Sequence, residues 1–119
     1  MSELVYFKES EFYCKCGHCT PEDAMVPTFL ARLDELRARC GFPFNVNSAY
    51  RCPQHPKEAI KATPGTHSLG IATDIGVSNG IQRRRVVDEA LEMGFTGIGV
   101  GNTFVHVDDR QTTPVLWTY

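Results

Sequence analysis

At 119 residues, the chain has the length of one compact domain, and residues 1–119 are expected to form it as a single unit. A composition that is 42% hydrophobic, 22% charged and 10% aromatic excludes a disordered chain. The net charge of −2 offers no basic footprint for nucleic acid, and no apolar run approaches the ~20 residues that cross a bilayer.

In chain order, residues 1–24 read as irregular. Met1–Glu9 carries acidic residues and no apolar core, so it is not a secretory leader, and the protein is expected to be cytoplasmic as made. The first helix is predicted over Pro27–Cys40: Phe29, Leu30, Leu33, Leu36 and Cys40 recur at helical spacing. Pro27 suits its first turn and Gly41 a left-handed stop. A strand is predicted over Phe44–Tyr50, with Phe44, Val46 and Ser48 on one face. Residues 53–66, punctuated by prolines, read as a loop with one helical turn at Lys57–Lys61. A strand follows at Ile71–Val77. The second helix spans Gly80–Met93, capped by Ser78 or Asn79, with Val86, Val87, Ala90 and Leu91 expected to be buried and Gly94 ending it. Short strands are predicted at Gly97–Val100, Thr103–Asp108 and Val115–Tyr119. This order predicts an α+β fold with a mostly antiparallel central sheet and two main helices.

Two segments carry chemistry. His67 and Asp74 lie seven positions apart around Gly70, so a turn followed by a strand lets them converge. On a strand, Phe104, His106 and Asp108 share one face, while Val105 and Val107 take the other. Two imidazoles and a carboxylate suit Zn²⁺, and three protein ligands leave an open fourth position, as catalytic zinc sites require. The bland alternative is a structural histidine and an aspartate that caps a turn or pairs with an arginine.

The cysteines number five, which forbids complete intramolecular pairing. Cys14, Cys16 and Cys19, with His18 nearby and Cys52 or His55 further on, admit two readings. One is a second, structural metal site that ties the N-terminal segment to the rest. The other is free thiols. Cys40 ends an apolar helix face and is read as core. Arg83–Arg85 is read as a solvated helix face.

Three ordered segments resemble the motifs of the zinc D-alanyl-D-alanine carboxypeptidase family, which includes phage and bacterial cell-wall peptidases of the Hedgehog/DD-peptidase fold. They are Ser48-Ala49-Tyr50-Arg51-Cys52-Pro53, Gly65–Ile75, and Gly97–Val100 with Phe104–Asp108. Phe7–Phe12 resembles the family's opening segment and Pro114–Tyr119 its closing strand, so the likeness spans nearly the whole chain. The resemblance implies His67, Asp74 and His106 as Zn²⁺ ligands. It also implies Arg51 as the cation that binds a substrate carboxylate or carbonyl and assists catalysis, with Ser48 and Tyr50 beside it in the substrate site. A guanidinium fork suits that task because it pairs with carboxylates in bidentate geometry; the alternative for Arg51 is a surface ion pair.

Several relatives place an acid three positions before the last histidine ligand. Here that position is Thr103, which cannot accept a proton from water. Asp108 is the substitute general base, or else the acceptor that orients His106, or a strand-end partner of Arg110. Asp109 is a weaker candidate, on the opposite side. The implied activity is zinc-dependent hydrolysis of peptidoglycan stem peptides or cross-links, as a D,D-carboxypeptidase or an endolysin-type endopeptidase; the sequence does not fix the oligomeric state, and a monomer is the expectation. A phage lysin released from the cytoplasm onto the cell wall is the implied context. The rivals are a non-catalytic zinc-containing binding module of the same fold and a peptidase limited to free dipeptides.

Overall fold

The computed structural model describes residues 5–7, 26–48 and 70–119. Helix α1 (Pro27–Cys40) matches its predicted bounds and buries Phe29, Leu30, Leu33, Leu36 and Cys40. Pro27 occupies its first turn, and Gly41 closes it at φ 76°, the left-handed conformation that glycine adopts without a Cβ penalty. Strands β1 (Asn45–Ser48) and β2 (Ala72–Gly76) follow. Next comes helix α2 (Gly80–Met93), then β3 (Gly97–Val100), β4 (Phe104–Asp108) and β5 (Val115–Thr118). Of the two capping residues considered for α2, Asn79 is the one whose side chain accepts a hydrogen bond from Gln82 N, at 2.8 Å.

One expectation for α2 is corrected. Val86 and Ala90 are buried, but Leu91 is 55% exposed. At roughly 100° per residue the stripe through Val86, Ala90 and Met93 is narrow, and Leu91 falls well round the helix from its centre.

The strands form one sheet in the order β1-β2-β4-β3-β5. All pairings are antiparallel except β3 with β5, which is parallel. The pairing of β1 with β2 slips between Val46 and Ser48, an irregularity that increases local twist. Alternation divides the sheet into two faces. Ile75, Ile98, Val105 and Val107 join Phe29, Leu33, Leu36, Val86 and Ala90 in the apolar core beneath the helices. The opposite face carries Asp74, His106, Asp108 and Trp117.

Candidate metal centre

The pairing register sets a row of residues straight across the sheet. Ser48 stands opposite Asp74, Asp74 opposite His106, His106 opposite Gly99, and Gly99 opposite Trp117. Thus Asp74 and His106, 32 positions apart in sequence, become direct cross-strand neighbours. Their separation is 2.9 Å, from His106 Nδ1 to Asp74 Oδ1. The other imidazole nitrogen, Nε2, lies 2.6 Å from Asp108 Oδ2. Asp108 is clamped in turn: Arg110 donates from Nε to Oδ1 at 3.0 Å, from Nη2 to Oδ2 at 2.7 Å, and from its backbone N–H to Oδ1 at 3.1 Å.

Burial raises the stakes of this network. His106 is 3% exposed and Asp108 is fully buried. Burial alone would drive the Asp108 carboxyl toward its neutral form, but the hydrogen bonds from His106 and Arg110 outweigh it and hold the group ionised, far below the usual carboxylate range. Burial likewise disfavours an imidazolium at His106, yet the hydrogen bonds and charges of Asp108 and Asp74 raise its pKa above the ordinary value. The reason is a count of protons: a neutral imidazole has one N–H, and here both ring nitrogens face carboxylates. One carboxylate would meet a bare lone pair unless a positive charge is supplied, either by a second proton on the ring at Nδ1 or by a cation shared between Nδ1 and Asp74.

The donor set therefore fits a borderline divalent metal. Asp74 and Nδ1 of His106 offer two ligands, and Asp108 fixes the ring so that Nδ1 is the nitrogen presented. The third predicted ligand, His67, lies outside the described residues, as do Arg51, Tyr50, the cysteines at 14, 16, 19 and 52, and His18 and His55. Among the described residues no group of three or more His, Cys, Asp or Glu side chains is placed to hold a metal. Thr103 is exposed. Asp109 makes an ion pair with Arg32, away from His106.

Trp117 and the glycines of β3 are absent from the predicted site. The indole centroid lies 5.1 Å from that of His106, and the Arg110 guanidinium sits over the same indole at 4.9 Å. Gly97, Gly99 and Gly101 alternate along β3 and just beyond it, each lying beneath a neighbour's side chain. A Cβ at Gly97 would collide with the Asp108 carboxylate, one at Gly99 would come within 2.6 Å of the Trp117 ring, and one at Gly101 would strike Phe104. The period-two spacing of these glycines was the available signal, since a strand rarely forgoes side chains unless something else needs the space.

This cluster of Asp74, His106 and Asp108, on a five-stranded α+β sheet backed by two helices, belongs to a recognised class. The Peptidase M15 family model matches residues 5–108, and the chain belongs to that family; its architecture is that of the Hedgehog/DD-peptidase fold. The family is one of peptidoglycan-related metallopeptidases, typically dependent on zinc. No curated protein gives a significant match.

Proposed function

We propose that the protein is a zinc metallopeptidase that hydrolyses peptidoglycan stem peptides or their cross-links, with His67, Asp74 and His106 as its zinc ligands. One observation carries the reading: in a chain of this family, Asp74 Oδ1 and His106 Nδ1 converge to 2.9 Å, while Asp108 and Arg110 hold the opposite edge of the imidazole. When bound, Zn²⁺ polarises the scissile carbonyl and makes water more acidic. His106 presents the Nδ1 lone pair, Asp74 brings negative charge, and Arg51 anchors the substrate carboxylate. A phage lysin acting on the wall after release is the context we favour, on the strength of the family likeness.

Of the three roles open to Asp108, its surroundings support the positioning of His106, with Arg110 as its partner, over the general base. Both carboxylate oxygens are engaged by His106 and Arg110, and a carboxylate held strongly ionised in this way is a poor proton acceptor. The same observation gives weight to a second reading, a zinc-holding module without hydrolytic activity. The two are separated by incubating the zinc-loaded protein and its His106→Ala variant with purified muropeptides and reading the products by mass spectrometry. New termini formed by the wild type and not by the variant support the peptidase, and their position identifies the bond cut. Zinc bound through His106 without any cleavage favours the binding module, and cleavage confined to free dipeptides would replace stem peptides as the substrate.

A further inference from the structure

We propose that Trp117, on the edge strand β5, is a positioning residue of the metal centre; this rests on the zinc reading above. Three contacts carry it. The indole packs against His106 at 5.1 Å between centroids, with planes inclined by 50°. It carries the Arg110 guanidinium on its ring at 4.9 Å. It reaches both because Gly99, between His106 and Trp117 in the register, has no side chain to obstruct it. One ring thus braces the imidazole directly, and braces it again through Arg110, which holds Asp108, which holds Nε2.

The physical consequence is restriction of rotation. A histidine ligand loses affinity when its ring can turn away, and groups that orient ligands typically govern metal affinity by about 10- to 100-fold. Asp108 restrains the ring only in its own plane, through one nitrogen. The indole restrains tilting out of that plane, which no hydrogen bond along the ring edge can do. Stacking with Arg110, a cation–π contact, also keeps the guanidinium from swinging into solvent, where it would leave Asp108 buried with one partner fewer. Trp117 lies beyond residue 108, where the family match ends.

The test uses the full chain and Co²⁺ alone. Trp117 is the only tryptophan, so protein emission reports from this place. Titration with Co²⁺ is expected to quench that emission with the same dissociation constant as the growth of the cobalt absorption band, and His106→Ala is expected to abolish both. Trp117→Ala should weaken the His106-dependent Co²⁺ site at least tenfold by absorption, whereas Trp117→Phe, which keeps a ring, should stay within about threefold of wild type. Leu116→Ala, on the same strand but with its side chain 53% exposed, should change nothing. Gly99→Ala, which pushes the indole aside, should weaken Co²⁺ as Trp117→Ala does, and it carries the test if Trp117→Ala fails to fold.

Unchanged Co²⁺ affinity in folded Trp117→Ala or Gly99→Ala, or emission that ignores a His106-dependent cobalt band, overturns the positioning role and leaves the metal reading standing. A protein with no His106-dependent Co²⁺ site at all overturns both.

Discussion

A single substitution separates the two readings of Asp108, positioning of the His106 ring and proton acceptance. Asp108→Asn retains an oxygen that can accept from His106 Nε2 but loses the charge that Arg110 pairs with. If Asp108 positions the ring, the variant should bind zinc roughly 10- to 100-fold more weakly, and saturating zinc should restore most of its activity. A collapse of kcat that saturating zinc leaves unrepaired would instead identify Asp108 as the proton acceptor.

A second prediction at this scale concerns Cys40, at the end of α1. Burial, reinforced by the Glu89 carboxylate and only partly offset by Arg85 and Arg37, pushes its thiol up to about 11. The folded protein thus holds this proton more tightly than the unfolded chain does. Its contribution to stability is full below the ordinary thiol pKa of 9.0 and is lost as pH climbs from there through about 11. Chemical denaturation over that range should show wild type losing stability relative to Cys40→Ala, and at pH 8 peptide mapping should find Cys40 unalkylated in native protein.

At the scale of the element, the helices follow their own sequences. Both match their predicted bounds because each has a periodic apolar face and a glycine at the C-terminal stop. Asn79→Ala removes the side chain that satisfies Gln82 N and should cost about 1 kcal/mol, read as a shift in denaturation midpoint with unchanged slope. The exposed Leu91 shows the limit of such reading: an apolar residue near a helix end need not lie on the buried stripe. Strand β4 was legible as a two-faced strand, since Val105 and Val107 alternate with His106 and Asp108. Strand β3 was legible as a strand but not as part of the site, because its contribution consists of side chains it lacks.

For the whole molecule, the centre is a juncture between strands distant in sequence, so the metal should act as a structural tie as well as a reagent. Zinc at a hundredfold excess over its dissociation constant should stabilise the native state by about 2.7 kcal/mol. In a thermal melt, a chelator should reverse the gain and His106→Ala should lack it. A gain of equal size in His106→Ala would place the cation elsewhere, with the cysteine segment as the next candidate. None of the described helices is long and apolar enough to cross a membrane, so whatever takes the protein to its substrate is not a spanning helix among them.

By itself, the order of residues determined what depends on near neighbours: both helices and their stops, the alternation along β4, the candidacy of Asp74 and His106, and, through the resemblance, the family to which the chain belongs. Tertiary structure decided which groups meet. Among the local readings the sequence left open for Asp108, it selected contact with both Nε2 and Arg110; it also set Asp74 against Nδ1 and brought the indole of Trp117 across Gly99 to the imidazole. The cross-strand contacts arise from strand order and register, which follow from how the apolar face of the whole sheet fits the two helices. No local spacing encodes that fit.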